Sequence, residues 1–233
     1  MKIMIYEDNE LDIQSLKNCI DTFFSKYSIP YQVDVCHASE KLLETIYNYD
    51  ILFLDIELGN ENGIRMGRIA KRKHKSCHII LTSKYKKYLI DGYSVKADCY
   101  LLKPISQEQF NVNLKRVVHE YSFDTASILD KKISRKRILL KDILYIEYYD
   151  RHSYIKLTNK QRIVTSYSLG YWENKLKPYS FSQCYRSYLV NCRFVADIKQ
   201  DYVLLLNEEH IPLSRGFKKS FISSWLESVE NQL

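Results

Sequence analysis

The 233-residue sequence predicts an α/β domain built on a doubly wound, five-stranded parallel sheet, followed by a mainly β domain. Three observations carry this reading. Up to about Tyr121, short apolar runs alternate with longer amphipathic ones, as strands and helices do when they take turns. Past about Asp130 the runs become short, β-branched and aromatic, and polar turns separate them. Charge divides the same way: residues 1–125 hold 17 Lys+Arg and 17 Asp+Glu, residues 126–233 hold 18 and 11, so the whole formal charge of +7 lies in the second part. With 45% apolar residues the chain can bury two ordinary cores, and the expected boundaries are 1–121, a polar linker at 122–130, and 131–233.

In the first domain KIMIY, VDVC, ILFLD, HIILT and CYLL read as strands, because a strand covered on both faces is apolar throughout. Between them Leu11, Leu16, Ile20 and Phe23 recur at helical spacing. So do Ile64, Ile69 and the basic run to Lys75, and later Phe110, Leu114, Val117 and Val118. In the second domain RKRILL, ILYIEYY, YIKLT, QRIVTS, YLVN and YVLLL read as strands, with LGYWENKL and FKKSFISSWLESV as helical interruptions.

A basic second domain points to a polyanionic partner, of which nucleic acid is the commonest. The six cysteines form no CxxC pair and no metal-like spacing, so they read as reduced thiols. No stretch approaches the ~18 to 20 apolar residues of a membrane span. A cytoplasmic protein with no membrane partner is expected.

The strand ends of the first domain carry the chemistry. Glu7 and Asp8 follow the first strand, Asp55 ends the third, Thr82 the fourth, and Lys103 follows the fifth. A parallel sheet delivers all these ends to one edge, where ligands of doubly wound folds bind. Three carboxylates together repel one another and call for a hard divalent cation such as Mg²⁺. A lysine and a hydroxyl beside them suit a phosphoryl group.

On these residues, the segment 1–121 resembles a response-regulator receiver domain, of flavodoxin-like fold. The resemblance implies that Glu7, Asp8 and Asp55 hold Mg²⁺ with the backbone carbonyl of Glu57, and that Asp55 accepts phosphate from a sensor histidine kinase. Thr82 and Lys103 are then expected to bind the phosphoryl oxygens, with Tyr100 as the aromatic switch and Gly63 as the glycine after the acceptor. Gly59 departs from the pattern, since a proline is usual there. Phosphorylation adds about −1.5 to −2 charge, to which Thr82 and Tyr100 are expected to respond.

The second domain has too few helical windows for a helix-turn-helix, so its base reader must lie on strand ends or loops. RHSY, CYRSYLVN and IPLSRGFKKS each place His or Arg beside small hydroxyl residues at such junctions. The YIE strand, the RSYLVN segment and the SR with trailing basics, in that order, resemble the LytTR DNA-binding domain over about residues 131–230. That implies DNA contacts from His152 or its neighbour Ser153, from Arg186 and from Arg215, with Lys218 and Lys219 on phosphates. It also implies a homodimer, formed on phosphorylation or on paired DNA elements.

Two other classes fit parts of the sequence. An Asp-x-Glu at a strand end is similar to haloacid-dehalogenase-type phosphatases, but Glu57 stands where their second aspartate belongs and no cap is evident. A basic module for RNA or an anionic membrane is the other. A regulator that is not an enzyme is the reading expected here.

Overall fold

A computed structural model describes residues 1–59 and 61–230, apart from the side chain of Glu61. They form two units, residues 1–121 and the residues from Ser122 onward.

The first unit runs β1 (Lys2–Tyr6), α1 (Glu10–Lys26), β2 (Gln32–Cys36), α2 (Ser39–Thr45), β3 (Ile51–Asp55), β4 (Glu57–Leu58), β5 (Glu61–Asn62), α3 (Gly63–Lys73), β6 (His78–Ser83), α4 (Leu89–Val95), β7 (Cys99–Leu102) and α5 (Gln107–Thr125). β2, β1, β3, β6 and β7 lie side by side in that order, all parallel. Alternate residues of β1 explain the two layers of helices. Ile3 and Ile5 face a core with Ile20 and Phe23 of α1 and Phe110 and Leu114 of α5. Met4 and Tyr6 face the other core, with Leu42 of α2, Ile64 and Ala70 of α3 and Val95 of α4. The doubly wound sheet is therefore observed, and its five strands match the five apolar runs.

One helical expectation shifts. Asn9 caps α1 by accepting from the amides of Leu11 and Asp12, and the buried stripe is Ile13, Leu16, Cys19, Ile20, Phe23 and Phe24. Leu11 is 82% exposed, because five residues before Leu16 is off the i, i+3, i+4 rows.

Asp98, just before β7, locks that edge strand. Its carboxylate accepts from the Ile79 amide at 2.8 Å, meets His78 Nδ1 at 2.8 Å and lies 3.7 Å from Lys71 Nζ. Burial alone raises a carboxyl pKa, but here the His78 hydrogen bond and the nearby positive charge outweigh it and hold Asp98 below its ordinary value. A lowered folded value means stability that is present above the unfolded pKa of about 3.9 and is lost as pH falls through the folded one. Asp98→Asn is expected to destabilise this unit by about 1–3 kcal/mol at neutral pH. Denaturant titrations of both proteins should converge below about pH 4, and parallel pH profiles would refute the assignment.

The second unit contains β8 (Ser127–Ile128), β9 (Ile138–Leu139), β10 (Ile143–Tyr149), β11 (His152–Leu157), β12 (Arg162–Thr165), α6 (Leu169–Leu176), β13 (Phe181–Tyr185), β14 (Tyr188–Asn191), β15 (Val195–Ile198), β16 (Tyr202–Leu205), β17 (His210–Pro212) and α7 (Arg215–Glu230). An antiparallel sheet has the order β12, β11, β10, β14, β13, a three-stranded sheet has the order β15, β16, β17, and β8 pairs with β9. Ile146, Ile155 and Leu189 pack with the fully buried Trp172 of α6. Val190, Val203 and Ile211 pack with Phe221 of α7. The two helices stand where the sequence interruptions were expected.

The segment 122–130, expected as a linker, is instead ordered structure: α5 continues to Thr125, β8 follows, and Phe123 and Ile128 are buried with the Trp172 cluster. Its polar residues hid two apolar anchors. All six cysteines are buried free thiols. No described helix is long and apolar enough to cross a membrane.

Candidate functional site

β1, β3 and β6 are adjacent and parallel, so their C-terminal ends deliver Glu7, Asp8, Asp55 and Thr82 to one edge of the first unit, with Asp55 beside Thr82 in register. Glu7, Asp8 and Asp55 each offer a carboxylate oxygen, and these oxygens lie within 4.8 Å of one another. Glu7 and Asp55 are buried and Asp8 is exposed. Lys103 Nζ enters from the end of β7 and donates to Glu7 Oε2 at 2.5 Å. It also forms ion pairs with Asp12 Oδ2 at 3.0 Å and Asp55 Oδ2 at 3.1 Å.

Burial pushes the Glu7 carboxyl above its ordinary pKa, with Asp55 adding repulsion and Lys103 opposing both. Burial works against the Lys103 ammonium, but the Glu7 hydrogen bond and the charges of Asp55 and Asp12 prevail and hold its pKa above the usual value. Lys103, with Lys84 Nζ 3.7 Å from Asp12 Oδ2, stands against Glu7, Asp12, Asp55 and Asp8, a negative balance that fits a divalent ion. Asp55 Oδ1 is buried with no hydrogen-bond partner. The Asp55 carboxylate, with those of Glu7 and Asp8, makes an all-oxygen donor set suited to Mg²⁺.

Two neighbours frame Asp55. Glu57 begins the β4–β5 hairpin and pairs with Asn62, and Asn62 caps α3 by accepting from the Ile64 amide. Gly63 donates to the Ile56 carbonyl at 3.0 Å, and a Cβ built on it would sit 2.0 Å from the Asp55 carbonyl oxygen and 2.7 Å from Ile56 Cα. Only a hydrogen fits there. Gly59 has φ +50°, which the proline ring, fixed near −65°, cannot adopt. Tyr100 of β7 donates through its hydroxyl to the Tyr85 carbonyl, in the segment between β6 and α4.

Two members of this site escaped the sequence reading. Asp12 looks like any acid in a first helical turn, which favours the helix dipole. His37, at the end of β2, places Nδ1 3.0 Å from the Glu7 carbonyl oxygen and lines a cleft of about 210 Å³ with Tyr6, Glu7, Asp8 and Leu58.

The second unit gathers its expected residues along one sheet edge. His152 opens β11 opposite Tyr149, across a two-residue turn in which Asp150 and Arg151 have φ of 46° and 62°. Both are left-handed, as the tightest hairpins require. Tyr148 donates to the Ser187 carbonyl at 2.8 Å, so the β13–β14 turn carrying Arg186 lies beside it. Ser214 donates to the Cys184 carbonyl at 3.1 Å, which brings Arg215, the first residue of α7, to the same end. His152, Arg186, Arg215 and Lys219 are exposed. The His152 Nδ1 lies 2.7 Å from the Asp150 carbonyl oxygen, which can only accept, so Nδ1 carries the proton and Nε2 stays open to a partner.

Two of the expected contact residues are engaged within the protein. Ser153 is 0% exposed and donates to the Tyr167 carbonyl at 2.7 Å, so it is a core clip. Strand alternation turns it inward with Ile155 and Leu157 while His152 turns out. Lys218 is half-buried, and its ammonium donates to the carbonyls of Lys199 and Gln200 at 3.1 and 3.2 Å, which ties α7 to the β15–β16 turn. The exposed cation missed beside His152 is Arg151.

The remaining signature residues are structural. Glu147 of the YIE strand faces Tyr188 in register and accepts from its hydroxyl at 2.6 Å and from Arg162 Nη2 at 3.0 Å. Asn191, fully buried, donates to the Ile143 carbonyl and accepts from the Arg193 amide.

Comparison with known proteins agrees with this division. Residues 3–115 match the response regulator receiver domain, and residues 134–225 match the LytTr DNA-binding domain. The chain is similar to the transcriptional regulatory protein LytR of Staphylococcus aureus (strain bovine RF122 / ET3-1), with 26% identity over 96% of this chain and 98% of that one. It is also similar to the sensory transduction protein LytT of Bacillus cereus, with 26% identity over 94% and 96% of the two chains. Among solved structures, the response regulatory domain of protein mrkE from Klebsiella pneumoniae aligns with 52% of this chain and 98% of its own, at 20% identity and a TM-score of 0.46.

Proposed function

Because the chain belongs to the response regulators that carry a receiver domain followed by a LytTR DNA-binding domain, we propose that a sensor histidine kinase phosphorylates Asp55 and thereby controls sequence-specific DNA binding in the cytoplasm. The observation that carries this reading is the buried, unpartnered Oδ1 of Asp55 among Glu7, Asp8 and Lys103. That oxygen forms the new P–O bond as the P–N bond to the donor histidine breaks. Lys103 then exchanges part of its ion pairing for a phosphoryl oxygen, and the Thr82 hydroxyl follows. Glu7, Asp8, Asp55 and the Glu57 carbonyl would hold Mg²⁺, which supplies charge neutralisation for the phosphoryl group when bound. Tyr100, fixed to the Tyr85 carbonyl, is the side chain that would answer the change at Thr82. This chemistry leaves one phosphate on the protein, and no turnover of phosphate esters is expected.

In the second unit His152, Arg186 and Arg215 are assigned to base edges and Lys219 to a phosphate. The short turns hold the two guanidiniums near rigid strands, whereas Lys219 carries a flexible point charge. Arg186→Ala and Arg215→Ala should each cost ~1 to 3 kcal/mol on the selected site and little on random duplex. Lys219→Ala should weaken both about equally and lower the log–log salt slope by about one unit.

Titrations of full-length protein against specific and scrambled duplexes, with and without beryllofluoride, test the scheme. Specific affinity should rise with the phosphoryl mimic, and light scattering on the same samples should show the homodimer expected on paired elements. Equal loss of specific and random binding in the arginine variants would move base reading elsewhere. Preference for RNA or anionic vesicles over duplex would replace the DNA reading altogether.

A further inference from the structure

Between Asp130 and Asp142 the chain carries Lys131, Lys132, Arg135, Lys136, Arg137 and Lys141 and no acid, and the first five are exposed. They occupy the loop that joins β8 to β9. This loop is built rather than loose. The Asp130 carbonyl accepts from the amides of Ile133 and Ser134 at 3.0 and 2.9 Å, and its carboxylate accepts from the Lys132 amide at 2.8 Å. Ser134 Oγ accepts from the Lys136 amide at 3.0 Å, and Ile133 packs on the Trp172 cluster.

Two relations locate the loop. β9 runs on toward Asp142, whose carbonyl accepts from Thr158, and Ile143 pairs with Leu157, so the strand leads away to the far end of the main sheet. The loop is the opposite end of that hairpin. Tyr167 then fixes it: its hydroxyl donates to Asp130 Oδ2 at 2.8 Å while its carbonyl accepts from Ser153, the residue after His152. Tyr167 also stacks on Tyr171, with ring centroids 4.2 Å apart.

Along the edge the order is therefore the 131–137 loop held through Tyr167 beside β12, then the His152 turn, then the Arg186 turn, then Arg215. The base-reading candidates fill one side of this row, and a dense group of exposed cations ends it. We propose that the Lys131–Arg137 loop is a phosphate-binding element that grips duplex DNA flanking the recognition sequence, beyond the side of the His152 turn. The inference rests on the DNA-binding reading above and adds a second, sequence-independent contact region. Lysines and arginines on a preformed loop recognise backbone charge, not base identity.

The test uses the full chain and a duplex selected in vitro for binding to it. One version carries about one helical turn, ~10 bp, of flank on each side, and the other is trimmed to the element. The variant Lys131→Gln/Lys132→Gln/Arg135→Gln/Lys136→Gln alters only exposed side chains, and an unchanged thermal midpoint verifies its fold. On the flanked duplex its log–log salt slope should be shallower by ~0.9 for each phosphate no longer neutralised, ~2 or more in all, with scrambled flanks giving the same result. On the trimmed duplex variant and wild type should bind alike. An unchanged slope, or an equal deficit on both duplexes, overturns the loop assignment while leaving DNA binding standing. Failure to select any duplex overturns the DNA-binding reading and the loop with it.

Discussion

Asp55→Asn is expected to abolish phosphoryl labelling by acetyl phosphate while leaving the receiver at least as stable as the wild type. Asparagine keeps the shape of the side chain but removes the anionic oxygen that would attack phosphorus in the proposed transfer. The stability half follows from the cluster: Asp55 is buried beside Glu7, whose carboxyl is already pushed up by burial and by Asp55 itself. Taking away one of the like charges relieves that repulsion, and Lys103 keeps Glu7 and Asp12. Intact mass after incubation with donor and Mg²⁺, together with a thermal scan, reads both halves. Labelling of the asparagine variant at the wild-type rate would place the acceptor elsewhere. A large drop in thermal midpoint would mean that Asp55 is chiefly a structural partner of Lys103.

Gly63→Ala should be the most damaging single-methyl change in the receiver, although it touches no functional group. The new Cβ would overlap the Asp55 carbonyl and Ile56 Cα, both backbone atoms at the end of a central strand, so neither can swing aside as a side chain can. Either α3 lifts away from β3 or Asp55 is displaced. Overpacking of this kind costs about 1–3 kcal/mol or more, which for a domain of this size lowers the midpoint by roughly 4 °C per kcal/mol, and the displacement of Asp55 should slow phosphorylation. Gly170→Ala, in the first turn of α6, is the control, because nothing lies within 4 Å of its added Cβ. Equal midpoints for the two variants would show that α3 is free to shift and that the close approach is not needed.

These two sites differ in how far the sequence discloses them. Strands covered on both faces announce themselves as unbroken apolar runs, so the five-stranded sheet and the strand-end position of Asp55 were legible. Lys103, Thr82 and Glu7 followed because parallel strands share an edge. Asp12 was not legible, since nothing in the local pattern separates an acid that reaches Lys103 from one that merely begins a helix. In the second unit β13, β15 and β17 were missed. FSQCY mixes two polar residues into five, VADI is short and carries an acid, and HIP ends in a proline tolerated because β17 is an edge strand. Ser153 could have been settled from the sequence, because a period of two puts it on the face of Ile155 and Leu157. Lys218 could not, since its carbonyl partners at Lys199 and Gln200 come from a turn that only the folded chain brings near.

The turn between β10 and β11 shows stability and task pulling apart. Asn-Gly is the dipeptide that best fits two successive left-handed residues, yet this chain places Asp150 and Arg151 there, at a cost of about 1 kcal/mol or more for each side chain held at positive φ. A sequence optimised for thermal stability alone would relax that pair to Asn-Gly and would lose the guanidinium beside His152. Selection for heat resistance should therefore reach this hairpin, and on the DNA-binding reading proposed above, variants recovered from such a screen would be sturdier proteins with a blunter grip on duplex DNA.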